Sequence, residues 1–458
     1  MLSPYDVWTI RDACEGTQIF GAIGSGKTSG SGAAIAKAYL RQGFGGLVLC
    51  AKPEERKLWQ QYAAETGRTQ SLVLFAPDAP WRFNFLDYEL RRQGTGGGQT
   101  ENLVRLFSSV TEIVEGKQSQ GSGGDPFWER AGQELIRNAI DLISLSGETL
   151  TLTHLLDFNT SAPQDSAQVG DEGWQQNSFC ARCLAKAQAK PKNSREQHDF
   201  EMAARYWLQS YATLADRTRS GVVAHVTGVA DILLHGITWE LLATETNIVP
   251  EVAYKNGAII VVDLSIQEYD KLGRIVQGIW KLMFQRAILR RDVSVDPLPV
   301  FLWADEAQNF ISSFDYQFQA VARSARACTV YLSQNISNYY SVLGSQGRDE
   351  ANALLGNFQT KVFHANGDHA TNQYAADLIS QAWTTTASVN SNTQDKGDGS
   401  HGSGLSESVQ YKVLPSEFTT LRKGGPANNL EVDGVLFEGG RIWKATGDTY
   451  LPTIFKQG

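Results

Sequence analysis

No stretch of this sequence stays apolar for the ~18 residues that a membrane-crossing helix requires, so the chain is not expected to span a bilayer. Its first residues, MLSPYDVWTIRDACEG, also lack the basic-then-apolar order of a secretory leader. Cysteine is scarce and odd in number, with five residues at Cys14, Cys50, Cys180, Cys183 and Cys328. That excludes a full disulfide framework and suits reduced, packed thiols in the cytoplasm. Cys180-Ala-Arg-Cys183 has the spacing of half a zinc site, but no second such pair exists and His198 is the only histidine close by in sequence, so no zinc site is expected. Positive charge is not in surplus either: 41 Lys and Arg against 49 Asp and Glu give a net charge of −8. This excludes a surface coated in basic residues while leaving room for a local positive channel. No internal repeat and no nucleic-acid-binding motif is visible.

What is present is enough for a substantial core. The 458 residues, 42% hydrophobic and 20% charged, fit one large domain with an insertion or two ordinary domains. Short apolar runs at Thr17–Gly21, Gly46–Ala51, Leu72–Ala76, Ala258–Leu264, Val300–Ala304, Thr329–Ser333 and Lys361–Ala365 read as buried strands. Helical patterns at Ser31–Arg41, Phe127–Leu145 and Leu272–Arg290 alternate with them, which gives an α/β class with a mainly parallel sheet flanked by helices. Gly-, Ser-, Gln- and Thr-rich stretches at Arg92–Thr100, Gly116–Asp125 and Thr384–Ser408 read as loops. The segment 151–219 contains no convincing strand and is expected to be an all-α insertion between a nucleotide-binding domain's first part, 1–150, and its second, 220–458. Two apolar stretches about a Gly-Gly pair in Asp433–Thr446 predict a C-terminal hairpin.

Gly21-Ala-Ile-Gly24-Ser25-Gly26-Lys27-Thr28 matches the whole G-x-x-x-x-G-K-[ST] pattern, with the strand TQIF before it and the helical SGSGAAIAKAYL after it. Glycines let backbone N–H groups close around phosphates at a helix N-terminus. In that reading Gly21, Gly24, Ser25, Gly26, Lys27, Thr28 and Ser29 form the nucleotide seat, with Lys27 on the β- and γ-phosphates and Thr28 on Mg²⁺. Such a turn without a ligand has no need of lysine. Downstream, Pro299-Val-Phe-Leu-Trp-Ala304-Asp305-Glu306 is an apolar strand ending in two carboxylates. Asp305 is expected at the Mg²⁺ and Glu306 as general base for the attacking water. The next strand ends in Gln334, which either senses a γ-phosphate or only satisfies backbone. Arg323 and Arg326, just before that strand, are either solvated helix charges or a candidate arginine finger. Arg182, Lys186, Lys190, Lys192 and Arg195 along the all-α segment either meet phosphates or form a solvated face.

This constellation resembles the type IV coupling proteins of conjugation and secretion, the TraG/TraD/TrwB-like ATPases. Beyond the P-loop, Leu47-Val-Leu-Cys-Ala-Lys52-Pro53-Glu54, the segment Leu74-Phe-Ala-Pro to Arg82-Phe-Asn84-Phe-Leu, Asp125-Pro-Phe-Trp128-Glu-Arg-Ala131, the Asp305-Glu306-Ala-Gln308 motif and Leu-Ser-Gln334 follow in that family's order, and Arg323 falls where it carries a basic residue. Members of that family usually begin with transmembrane helices, whereas the 20 residues given before Gly21 are not expected to span a bilayer, so an anchor is expected either from a separate partner or from a membrane region outside the given sequence. The resemblance implies a RecA-like P-loop fold that uses ATP and Mg²⁺ and assembles as a ring, a homohexamer. It also implies DNA, most plausibly single-stranded, as the substrate, and a membrane-anchored or relaxase-like protein as a partner. Recruitment of a cytoplasmic motor to the inner membrane would follow. A nucleotide-switched assembly protein, as in defence or mobile-element processing, uses the same residues and stays open.

Overall fold

In a computed structural model, residues 3–115, 126–312, 314–343, 347–392 and 400–458 are described. The chain forms two compact units. The first gathers residues 1–46, 60–70 and 293–458, and the second gathers 47–59 and 71–292. Among the described residues eleven strands are present in chain order: β1 (Thr17–Phe20), β2 (Gly45–Leu49), β3 (Leu72–Phe75), β4 (Ile259–Val262), β5 (Val300–Ala304), β6 (Ala327–Ser333), β7 (Thr360–Phe363), β8 (Gln381–Asn392), β9 (Ser400–Tyr411), β10 (Glu431–Glu438) and β11 (Tyr450–Lys456). All seven apolar runs picked from the sequence are strands.

In the first unit the order is β11-β10-β7-β1-β6-β5. β1 pairs in parallel with β6 on one side and β7 on the other, and β5 pairs in parallel with β6. The last two strands, β10 and β11, are antiparallel additions at the β7 side. Every residue of β1, β5, β6 and β7 is buried, so β5 and β6 read as mostly apolar runs, while β1 and β7 also bury the polar Thr17, Gln18, Thr360 and Lys361. The C-terminal hairpin exists, but its return strand is later than the sequence suggests. Trp443 is fully buried and its neighbourhood is closed by a bridge to Asp448, so Trp443 plugs the core, with Ile442 left exposed, instead of forming the strand.

The Ser- and Thr-rich stretch expected as a loop over Thr384–Ser408 is instead mostly a two-stranded ribbon, β8 against β9, with Trp383 facing Val409 and Ala387 facing Leu405. Alternation overrides composition there: one face carries these apolar side chains and the other carries hydroxyls and amides. Arg92–Thr100 is a loop up to the helix that begins at Thr100, and its Gly94, Gly96 and Gly98 take positive φ. The expected loop Gly116–Asp125 lies outside the described residues.

The second unit holds β2-β4-β3, with β3 parallel to β4, and most of the helices. Helix Ile266–Arg290 buries Ile275, Ile279, Trp280, Met283 and Phe284, and Trp280 lies edge-on to Phe75 of β3 at 4.9 Å. Residues 151–219 contain helices and no strand. Each of several short helices is started by a side chain that accepts from the third residue on, namely Thr151, Asp171, Ser178 and Asn193. Their core is Phe158, Phe179, Trp207 and Tyr211, with Trp207 within 5.0 Å of Phe158 and 4.8 Å of Tyr211. Cys180 and Cys183 pack into it, and burial pushes the Cys183 thiol up to about 11. Among the basic residues of this segment, Lys186 pairs with Glu148 at 2.6 Å, Arg195 donates to Gln99 at 2.7 Å and Lys192 caps carbonyls of its own neighbours. Among the described residues no single helix is long and apolar enough to cross a membrane.

Candidate functional site

The glycine loop between β1 and its helix is pinned from both sides. Gly21 N–H donates to the Ser333 carbonyl at the end of β6, and Ala22 N–H donates to the Ala365 carbonyl just past β7. Gly24 and Gly26 sit at φ +71° and +83°, a region that side-chain-bearing residues enter only at a cost. A wide π turn, Thr28–Gly32, opens the helix that continues as Ala33–Arg41. Orphan N–H groups of this first turn therefore face the loop.

The ends of β5 and β6 bring polar side chains to the same edge. Thr28 Oγ1 donates to Asp305 Oδ2 at 2.9 Å, and Asp305 Oδ1 accepts the Glu306 backbone N–H at 2.9 Å. Glu306 takes a left-handed backbone, φ +50°, a strained conformation for a residue with a side chain. Its carboxylate lies 3.6 Å from the Lys27 ammonium and accepts from Gln308 Nε2 at 3.0 Å and Gln334 Nε2 at 3.2 Å. Ser333 Oγ donates to Gln308 Oε1 at 2.9 Å, which fixes the amide with its NH₂ towards Glu306. Lys27, Asp305 and Glu306 are all buried. A buried charge is tolerated when paired and hydrogen-bonded, and Glu306 has one ion pair and two amide donors.

The expected residues Gly21, Gly24, Ser25, Gly26, Lys27, Thr28, Ser29, Asp305, Glu306 and Gln334 thus occupy one edge of one sheet. Arg323 and Arg326 do not. They precede β6 and so lie at the opposite edge. Arg323 is exposed and paired with Glu15 at 3.1 Å, and Arg326 donates to the Pro297 carbonyl at 2.7 Å. Within one chain neither is gathered with Lys27.

The residues at hand suit a nucleotide and a hard cation. The Ser25 hydroxyl is buried in the loop without a hydrogen-bond partner, a Cβ at Gly24 would meet nothing within 4 Å, and Thr28 with Asp305 supplies the oxygen donors that Mg²⁺ prefers.

Two further residues belong to this edge although sequence reasoning gave them no role. Gln308 orients Glu306, as described. His364, one residue past β7, is buried; its Nδ1 lies 2.7 Å from the Asp433 carbonyl and its Nε2 lies 2.7 Å from Ser31 Oγ in the P-loop helix. A carbonyl only accepts, so Nδ1 carries the proton and Nε2 accepts the Ser31 hydroxyl. Burial, reinforced by the Lys27 charge, pushes the His364 imidazole down to about 4, so it is neutral at physiological pH. The available signal was its position, a polar residue ending a buried strand at the edge where Gln334 also stands.

Residues 299–423 match the family model described as the TraM recognition site of TraD and TraG. Among solved structures, the conjugative coupling protein TrwB, as the TrwBdeltaN70 form without ligand, is 14% identical over 98% of this chain and 86% of its own, with a TM-score of 0.62. TrwB with a non-hydrolysable ATP analogue is 16% identical over 100% and 90%, with a TM-score of 0.61, and TrwB with ADP and Mg²⁺ is 14% identical over 100% and 90%, with a TM-score of 0.59. No curated protein matches the sequence. The chain therefore has the fold of TrwB, and its residues 299–423 match the family model described as the TraM recognition site of TraD and TraG.

Proposed function

We propose that this chain is an ATP-hydrolysing motor of the coupling-protein type. In this reading it assembles as a homohexameric ring of its own copies and moves single-stranded DNA. It serves a conjugation or type IV secretion machine, where a membrane-anchored or relaxase-like partner recruits it from the cytoplasm to the inner membrane. One observation carries the catalytic part: Thr28 bonded to Asp305, and Lys27 beside Glu306, at the mouth of a glycine loop. The TrwB structures with an ATP analogue and with ADP and Mg²⁺ support ATP and Mg²⁺ as ligands.

The chemistry then follows from this chain's own side chains. Lys27 leaves Glu306 for the β- and γ-phosphates, exchanging one anion for another, so its charge is never left unpaired. Thr28 and Asp305 hold the cation, which supplies positive charge to the phosphates when bound. Released from Lys27 but still held by Gln308 and Gln334, Glu306 can take a proton from a water aligned on the γ-phosphate. The amide of Gln334 touches the base, so cleavage is felt at the end of β6, whose carbonyl Asn366 also holds at 2.7 Å. Arg323, placed at the far edge, can reach a γ-phosphate only in another copy, and a ring provides one. Residues 151–219 are proposed as an inserted all-α domain.

A second reading, a nucleotide-switched recruitment ATPase without processive movement, is favoured by the match to a partner-recognition model over 299–423. ATP turnover with and without single- and double-stranded DNA, combined with sizing in nucleotide, separates the two. Stimulation by single-stranded DNA in a hexamer is expected. Turnover indifferent to DNA would leave the switch, and no turnover at all would overturn both.

A further inference from the structure

The sheet order gives a bound triphosphate a direction. Asp305, Glu306 and Gln334 end β5 and β6 on one side of the loop that follows β1, whereas β7 and β10 lie on its other side. If the γ-phosphate faces Lys27 and Glu306, the nucleoside must leave the loop towards β10. What stands there is a tightly fitted wall. A Cβ on Gly26 would lie 2.5 Å from the Val432 side chain and 3.2 Å from the Lys423 carbonyl, and one on Gly30 would lie 3.2 Å from Val432. The loop before β10 is held by the Arg422–Asp433 pair at 2.7 Å, by a bridge between Lys423 and Val432 and by Leu430 N–H on the Gly425 carbonyl at 2.9 Å. Gly424 and Gly425 both take positive φ, so the chain turns sharply beside the P-loop.

The C-terminal Gln457 closes this wall. Its Oε1 accepts Gly425 N–H at 2.7 Å, and its Nε2 donates to Ser29 Oγ at 2.6 Å, in the first turn of the P-loop helix. The amide is thereby fixed in orientation, with one N–H and one lone pair to spare, and Ser29 retains its own O–H as a donor. Lys423 is exposed beside them.

We infer that the ribose and base of the bound nucleotide lie against Lys423–Gly425 and Gln457, and that Gln457 is an affinity-determining residue for the nucleoside half of the ligand. This rests on the nucleotide-binding reading above and deepens it. A fixed amide with both a donor and an acceptor, next to a backbone carbonyl, suits the polar edge of a ribose or purine. Val432 is fully buried and packs behind them against Gly26 and Gly30.

The test separates the two halves of the ligand. Calorimetric titration of Mg²⁺–ATP, Mg²⁺–GTP and Mg²⁺–tripolyphosphate should find Gln457→Ala weakened about tenfold for the nucleotides, the scale of one hydrogen bond. Tripolyphosphate affinity should stay within about twofold. Unchanged nucleotide affinity overturns the inference, and so does equal weakening for all three, which would mean that Gln457 only steadies Ser29. Failure of the wild-type chain to bind tripolyphosphate would sink the P-loop reading itself and this inference with it. Hydrogen exchange on the unaltered chain gives an independent readout: amides in 422–431 and 450–458 should gain protection with ATP but not with tripolyphosphate, and equal protection by both would overturn the assignment.

Discussion

Two ion pairs sit at opposite edges of the same sheet and rank in the reverse of their distances. Arg323 and Glu15 approach to 3.1 Å, but the arginine side chain is 62% exposed. Lys27 and Glu306 stand 3.6 Å apart with side chains 8% and 7% exposed. Water screens the first, and exposed pairs contribute roughly 0–1 kcal/mol. The second is out of water, where leaving one partner unmatched costs about 3–5 kcal/mol. Burial rather than separation decides which pair governs behaviour. One edge is built for a ligand that replaces a charge, and the other offers a charge to the surroundings.

The sharpest way to break this contrast is Lys27→Ala. Tight ATP binding should be lost, because the buried cation aimed at the phosphates disappears while the glycine loop remains; titration with a fluorescent ATP analogue checks it. Unaltered affinity would end the assignment. Glu306→Gln has one carbonyl oxygen left to accept one of the two amide donors and removes the base, so ATP and Mg²⁺ should still bind while hydrolysis falls about 10²-fold or more. Single-turnover assays would expose a merely structural carboxylate by an unimpaired rate.

The site edge should also be sensitive to pH where the far edge is sensitive to salt. His364 has its folded pKa lowered to about 4 from 6.5. The unfolded chain therefore takes up this proton first, and stability present above pH 6.5 is lost as pH falls towards 4, by about 3 kcal/mol from this residue. Urea melts at pH 7.5 and 4.5 should show a smaller loss in His364→Gln than in the wild type, and equal losses would contradict the buried neutral imidazole.

The smallest effect on stability belongs to Arg323→Ala, within about 1 kcal/mol. Its effect on turnover is the informative quantity. ATP binding should persist while hydrolysis slows, and mixing it with Lys27→Ala should recover some activity, since a mixed interface pairs an intact loop with an intact arginine. No recovery in demonstrably mixed assemblies would return Arg323 to the role of a solvated charge.

What could be read from the sequence follows the same division between buried and exposed. β4, β5 and β6 announce themselves because parallel strands covered on both faces are mostly apolar. Lys27, Thr28, Asp305 and Glu306 were legible because their motifs are local in sequence. The ribbon of β8 and β9 was not, since Ser, Thr and Gly dominate it and only its alternate positions, Trp383, Ala387 and Val389, carry the strand pattern. The links from Ser31 to His364 and from Ser29 to Gln457 join residues 333 and 428 positions apart. No local pattern encodes such contacts, which arise when β7 and β11 take their places in the sheet.

That strand order also bears on how the protein is made. β1 is synthesised long before both its partners, β6 starting at Ala327 and β7 starting at Thr360. At roughly 5–20 residues per second the first strand and its glycine loop wait for tens of seconds without neighbours. During that interval its apolar residues Ile19 and Phe20 have no sheet to enter, and chaperones have a defined window in which to act. Folding of this unit accordingly waits until β6 and β7 have been made, with yield limited by aggregation of the segment that carries β1.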